Sequence, residues 1–537
     1  MRNEGHLNRA RLTEFLLNPA SYPHNPKKVK HVQTHASDVF IASPYVYKVK
    51  KPVDFGFLDF STLEKRKHFI EIELVLNRRL TSGIYLEVLD ISLTEGKYGF
   101  GPGEEIVEYA LLMKELPEKY FLKNLLKEGK VTKKEFDDIA LRLTRFYESE
   151  RPDQNVSDYG KPGNIQKTLQ ESASISRKFI GRTISPGAFK AIEFYNGLFF
   201  ETRSSLLRER MEGGHIKDCH GDLHLEHINI APDGINIFDC IEFNERFRYI
   251  DTASDTAFLA MDLDYNGYFE YSKYFVSQIS AAMRDSALYR VLDFYKCYRA
   301  YVRGKVDSIK AFEPEVLEYL REEALTKAER YFKLSLRYSL LGSRPALLIV
   351  FGVIGSGKST LADAVSKELS CPVISSDILR KELTGTEPYE RKYEDYDSGI
   401  YAPEITEMTY EELIGRGIEI INTGAPALID ASFSKRKWRE HVRTCASKYG
   451  IPVYFIQTLA PESVIRERLL KRELEGASVS DARLEILGRF TKEFEEPREL
   501  FGDNIITVDT TVDSRTQLGD LFQNLIKINL EPAHEHQ

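Results

Sequence analysis

Between Gly352 and Ser359 the chain reads GVIGSGKS, with the spacing G-x-x-x-x-G-K-[ST]. Gly352, Gly355 and Gly357 let backbone N–H groups close around phosphate oxygens where a Cβ would intrude, and Lys358 then reaches the β and γ phosphates. Ser359 opens the next helix, so its hydroxyl is a candidate Mg2+ ligand and the helix N-terminus favours the phosphate charge. Ser356 and Thr360, inside and just after the loop, join the candidate phosphate-binding set. The chemistry implied is binding of ATP with Mg2+.

Downstream, SSDILRKEL puts Asp377 and Arg380 at the C-terminal end of an apolar run, the edge at which α/β sheets bind ligands. A carboxylate there orients or deprotonates an acceptor hydroxyl, and Arg380 is the candidate substrate-binding cation. Asp430 ends the run ALID, where a Walker B carboxylate would hold Mg2+. Arg468 and Arg472, four apart in RERLLKRE, share one helix face. Taken together, GVIGSGKST, ISSDILRKEL and ALIDASF resemble the P-loop kinases of the polynucleotide, gluconate, shikimate and zeta-toxin type, over about residues 346–530. The resemblance implies that Asp377 serves the acceptor and that Arg468 and Arg472 form a lid over the phosphates. The tyrosine-rich segment 384–404 reads as a substrate lid or a solvated loop.

A second group of chemistry-bearing residues lies upstream, in CHGDLHLEHINI and IFDCIEF on either side of an Asp233-Gly234 hairpin turn. The order of parts resembles a protein kinase: a β lobe with a lysine on its third strand, a helix with a glutamate, H-G-D, then a strand-borne aspartate. Residues 30 to 335 resemble the aminoglycoside phosphotransferase family, which shares that fold and includes choline and homoserine kinases. The whole chain is similar to bacterial proteins that fuse such a domain to a P-loop kinase domain. The resemblance implies Asp222 as catalytic base, Asp239 as metal-binding aspartate, Lys48 as the phosphate-binding lysine and Glu73 as its ion-pair partner. Glu71, on a different helix face, is the alternative partner. Asp251 and Asp255 fall where the family has structural carboxylates.

Two departures from that pattern stand out. His227 occupies the position of the usual asparagine metal ligand, with Asn229 two residues later, so a nitrogen donor replaces the oxygen that Mg2+ prefers. Between the first strands stands only HASD instead of a glycine-rich loop, which leaves Ser37 to cover the phosphates. His220, His224 and His227 crowd one loop, but no cysteine or further histidine lies at ligand spacing, and zinc is the weaker reading there.

The elements needed to position these residues divide the chain in two. Three β-type runs near His31–Lys50, a helix, a further strand pair and a long helical stretch predict an α+β protein-kinase-like domain with a small β lobe and a large helical lobe, residues 1–341. After the breaker LLGSRP, short apolar runs alternate with helices (ALLIVFG, CPVIS, ALIDASF, PVYFIQT, NIITVD), which predicts an α/β P-loop domain with a parallel sheet, residues 342–537.

Composition excludes more than it identifies. The 537 residues exceed a single core, and a net charge of -8 offers no general attraction to nucleic acid or anionic membrane. Five scattered cysteines without a C-x-x-C pair argue against a disulfide framework, and no signal peptide or membrane span is read, which together predict a cytoplasmic protein. The leading expectation is a tandem ATP-dependent kinase whose two sites each phosphorylate a hydroxyl of a small molecule. One alternative is a C-terminal polynucleotide 5′-kinase whose basic run SKRKWREHVR meets a phosphate backbone. The other is a regulatory ATPase with an N-terminal pseudokinase.

Overall fold

The computed structural model describes residues 2–313, 316–387, 398–475, 483–502 and 505–530. By packing, the chain forms two compact units, one of Met1–Thr168 with Ser205–Tyr295 and one of Leu169–Ser204 with Lys296–Gln537. This division does not follow the expected change of fold at 341/342, because helical residues 169–204 and 296–341 pack with the P-loop unit.

The first unit is built on an antiparallel six-stranded sheet: β1 (Lys30–Gln33), β2 (Ser37–Ala42), β3 (Tyr45–Lys50), β4 (Tyr85–Thr94), β5 (Lys97–Phe100) and β6 (Glu105–Lys114), in the order β1-β2-β3-β6-β4-β5. Four of the strands coincide with the apolar runs of the sequence, and β6 does so over most of its length. β5 was not among those runs: it is only four residues long, and Glu95 and Gly96, both at positive φ, turn β4 back into it. Helix Leu63–Arg78 follows β3. The Thr62 hydroxyl caps its N-terminus, and the helix buries Ile70, Glu73 and Leu76 on one face.

Two short antiparallel pairs carry the polar loops: β7 (Ile216–Asp218) with β10 (Tyr249–Asp251), and the hairpin β8 (Ile228–Ala231) with β9 (Gly234–Ile237), whose turn lies at the Asp-Gly pair. Beneath them, residues 252–264 of helix Thr252–Tyr265 are buried throughout. A helix apolar all round belongs in a core, and its polar members therefore need fixed partners.

In the second unit the parallel sheet has the order β12 (Val373–Ser375), β13 (Ala427–Asp430), β11 (Leu347–Phe351), β14 (Val453–Leu459), β15 (Ile505–Asp509). All five residues of the central strand β11 are buried, as a strand covered on both faces requires. On one face Leu347, Ile349 and Phe351 pack with Leu413, Ile429 and Trp438. Among the described residues, no helix is long and apolar enough to cross a membrane.

Candidate active sites

Register fixes the centre of the P-loop site. Asp430, the last residue of β13, pairs with Val350 of β11 on one side and Ser375 of β12 on the other. It therefore stands between the phosphate loop that leaves β11 and the helix Ser376–Leu383 that leaves β12, which carries Asp377 in its first turn. That turn favours a negative side chain.

The loop leaves β11 under tight constraint. At Gly352, φ is +146°, and a Cβ would lie 2.7 Å from Thr458 Oγ1 and 2.8 Å from the Thr458 carbonyl oxygen. Only glycine permits that approach. Gly355 (φ +75°) and Gly357 (φ +95°) are crowded in the same way by the protein itself: a Cβ would lie 3.0 Å from Ile465 Cγ2 at Gly355 and 3.2 Å from Thr510 Cβ at Gly357. Their missing Cβ atoms therefore also make room for helix Glu462–Glu475 and for Thr510.

The loop is tied to β14 by a 2.6 Å bond between the Ser356 and Thr458 hydroxyls, and Thr458 Oγ1 also donates to Phe351 O. The buried Ser356 hydroxyl thus braces the loop from behind. Thr360 is exposed.

The Ser359 hydroxyl lies close enough to Asp430 to favour its charged form. Burial raises the Asp430 carboxyl above the usual range, with Lys358 pulling it down and Asp377 pushing it up. Burial likewise lowers the Lys358 ammonium, against the pull of Asp430 and Asp377 and with the help of Arg472. Its Nζ donates to Val353 O at 3.1 Å. Two carboxylates and two cations thus converge at the C-terminal edge of the sheet, the pattern expected where a charged ligand completes the balance. Ser359 and Asp430 present the hard oxygen donors that suit Mg2+.

The two arginines expected to form a lid differ in their surroundings. Arg468 donates to Thr510, to Oγ1 at 3.0 Å and to the carbonyl oxygen at 2.6 Å, and Thr510 Oγ1 in turn donates to Ser356 O. Arg468 is therefore a strut between helix Glu462–Glu475 and the base of the loop, whereas Arg472 is the one whose charge reaches Lys358. Arg380 is buried: its Nη1 donates to Ile400 O at 2.9 Å and Thr406 Oγ1 at 3.0 Å, and its guanidinium lies over Tyr401. It holds the framework beside Asp377 through those bonds. Of the segment expected as a lid, residues 388–397 lie outside the described residues.

In the first unit the residues named from the sequence come together around β3. Lys48 Nζ is 2.7 Å from Glu73 Oε1 and 2.6 Å from Asp239 Oδ1. Glu71, the alternative partner, is exposed and only 4.0 Å from Lys67. Glu73 is fully buried because a second lysine balances it: Lys50 Nζ lies 2.7 Å from Glu73 Oε2 and also pairs with Glu242. Lys50 and Glu242 were missed, although period-two alternation places Lys48 and Lys50 on one strand face. Burial works to raise Glu73 and Asp239, but the lysines outweigh it and hold both carboxyls below their usual range.

Asp239 adopts φ +63°, a left-handed conformation that aspartate tolerates better than most residues. The turn is held because Asp239 N–H donates to Tyr85 Oη and Cys240 N–H donates to Asn77 Oδ1. The loop bearing Asp222 is fixed from below. His220 N–H and Gly221 N–H donate to the two oxygens of Asp255, each at 3.0 Å, and Tyr147 Oη donates to the same carboxylate. At Gly221, Phe247 O is only 2.7 Å from where a Cβ would stand. Asp251 caps helix Thr252–Tyr265 and meets Arg210 through both oxygens, and Arg210 also binds Asp285. Asp251 and Asp255 thus hold the scaffold.

His227 lies between Asp222 and Asp239. Its Nδ1 is 2.9 Å from Asp222 O, and its Nε2 is 3.4 Å from Asp239 Oδ2. Burial, with His224 alongside, lowers it to about 4. Asn229 is turned away: fully buried, it donates to Pro117 O. The donor set here does not match Mg2+, which takes oxygen ligands. Ser37 is buried at the start of β2, where its N–H donates to Thr34 Oγ1.

Comparison with known proteins bears on the two regions differently. Residues 347–497 match the family model described as an AAA domain. Over 454 residues the chain is 28% identical to an uncharacterized protein of Mycobacterium tuberculosis (strain ATCC 25618 / H37Rv), covering 84% of this chain and 88% of that one. Over 171 residues it is 26% identical to the shikimate kinase of Bacillus cytotoxicus, covering 30% of this chain and 88% of that enzyme. A solved choline kinase from Cryptosporidium parvum Iowa II aligns with 61% of this chain and 95% of its own, at 11% identity and a TM-score of 0.38. The family match and the parallel sheet agree that the C-terminal part of the chain is a P-loop α/β unit.

Proposed function

We propose that the chain is an ATP-dependent phosphotransferase whose P-loop unit moves the γ-phosphoryl group of ATP to a hydroxyl of a small molecule. The observation that carries this reading is the placement of Asp430 at the end of β13, between the phosphate loop and the helix bearing Asp377, with Ser359, Lys358 and Asp377 all acting on its carboxylate. Bound Mg2+, held by Ser359 and by Asp430 directly or through water, would neutralise charge on the β and γ phosphates. Lys358 leaves Val353 O for the phosphate oxygens, and Arg472 adds a second cation on the same side. Asp377, one strand away from the loop, faces the acceptor and takes or orients its hydroxyl proton.

A small-molecule acceptor is favoured over a polynucleotide by the state of the basic run. Arg439 is fully buried against Glu499, Arg436 pairs with Glu440, and Lys435 lies between Glu493 and Glu495. Charge already matched by carboxylates offers little to a phosphate backbone.

The upstream unit supports a second phosphotransferase site, with Lys48 and Glu73 as the phosphate-side pair and Asp222 as the base. The regulatory ATPase remains the competing reading. Incubation of the full chain with γ-labelled ATP and panels of metabolites and oligonucleotides separates these readings. Label on a hydroxyl metabolite, reduced in Lys358→Ala, is the expected result, and inorganic phosphate alone, unaffected by any acceptor, would refute it.

A further inference from the structure

The hydrogen-bonding partners of His227 fix its tautomer. A carbonyl oxygen only accepts, so the 2.9 Å contact to Asp222 O means that Nδ1 carries the ring proton. The Nε2 lone pair then faces Asp239 Oδ2 at 3.4 Å, while Asp239 Oδ1 is taken by Lys48. Two acceptors turned toward each other repel unless a cation lies between them. A ring N–H anchored on a backbone carbonyl, with the other nitrogen presented outward, is how proteins orient a metal-binding histidine.

His224 plays a different part. Its Nδ1 accepts Glu226 N–H, so Nε2 carries the proton and points at Asp222 Oδ2 at 3.4 Å. It steadies Asp222 and keeps its own lone pair occupied. One ligand atom from each of Asp222, His224 and His227 lies within 4.8 Å of the others, and Asp222 Oδ2 is 3.5 Å from His227 Nδ1, which keeps the Asp222 carboxylate beside the ring that faces Asp239.

We propose that the cation of the upstream site is a transition-metal dication of the Zn2+ or Co2+ kind instead of Mg2+, bound by His227 Nε2 and Asp239 Oδ2 with Asp222 beside it. The inference rests on reading this loop pair as the second phosphotransferase site. Imidazole nitrogen suits zinc-like ions, whereas Mg2+ demands oxygen. Spacing agrees: metal–ligand bonds of about 2.0–2.1 Å put two tetrahedral ligands roughly 3.4 Å apart, against roughly 2.9 Å for adjacent octahedral ligands of Mg2+. Water and a phosphate oxygen would fill the remaining positions.

Co2+ added to the metal-free full chain, without nucleotide, tests this through its visible absorption band. The expected result is a band that Zn2+ abolishes near stoichiometry and that Mg2+ in roughly 100-fold excess leaves in place. His227→Asn, and separately His227→Gln, are expected to weaken Co2+ binding at least about 10-fold. Lys358→Ala keeps the band. An unchanged band in both His227 variants, or displacement by equimolar Mg2+, would overturn the proposal. ATP binding in the Lys358→Ala chain is read separately. ATP bound with no Co2+ band would sink the ion assignment alone, and a band without ATP binding would sink the nucleotide reading of this site and leave the ion.

Discussion

In the proposed reaction Lys358 and Asp377 act at the same place for different reasons, and their substitution is expected to show it. There, Lys358→Ala removes the cation proposed to meet the transferring phosphoryl group. Its hydrogen bond goes to one loop carbonyl, so the fold is expected to hold while kcat falls roughly 10²–10³-fold. Asp377→Asn keeps the shape and removes the charge facing the acceptor. Steady-state kinetics are expected to show a lower kcat with the KM for ATP little changed. In the upstream unit, Glu73→Ala removes the carboxylate shared by Lys48 and Lys50, leaving them Asp239 and Glu242, and is expected to cost about 1.5–3 kcal/mol in denaturant unfolding. At this scale the sequence was legible where a motif dictates position, as at Lys358, Asp430 and Lys48. It was not legible where the answer depends on what lies opposite. Spacing put Arg468 and Arg472 on one face, but only the fold shows Thr510 across from Arg468. The same residue stands against Gly357, and Ile465 against Gly355, neighbours that the motif spacing does not reveal. Ser356 turned away because its partner, Thr458, sits 102 residues further along the chain.

Among the elements, the phosphate loop is the least tolerant. Gly352→Ala would push a Cβ into Thr458 and force the loop off its anchor, and ATP affinity by calorimetry is expected to drop at least about 10-fold. The other sensitive joint is the salt-bridge cluster at the foot of helix Thr252–Tyr265. Burial tends to raise the Asp285 carboxyl, but Arg210 outweighs it and holds it below the usual range. A depressed carboxyl contributes stability above its unfolded value of about 3.9, and that contribution is lost as pH falls through the folded value. Acid unfolding of the parent should therefore steepen below about pH 4, and Asp285→Asn should flatten that limb of the curve. A stability profile identical in both proteins would contradict this role for the cluster. The strands were readable because buried parallel strands are continuous apolar runs, as in LLIVF. β5 escaped because four residues after a Glu-Gly turn carry almost no pattern.

Taken whole, the proposed reading gives the molecule two nucleotide sites, one in each unit. Equilibrium binding is expected to give two ATP per chain, and one in Lys358→Ala. The parallel sheet that begins with Leu347–Phe351 was legible from a breaker followed by alternating strands and helices. The grouping of residues 169–204 and 296–341 with the P-loop unit was not, since helical periodicity says which face is apolar and not what will cover it. The central claim, phosphoryl transfer at the P-loop site, is tested most directly in an Asp222→Ala chain, where the upstream base is absent. Transfer of the γ-phosphoryl group from ATP to a hydroxyl metabolite, followed by 31P spectroscopy, is predicted to persist there and to vanish when Lys358→Ala is added. Transfer that survives the double substitution, or ATP consumption that yields only inorganic phosphate, would contradict it.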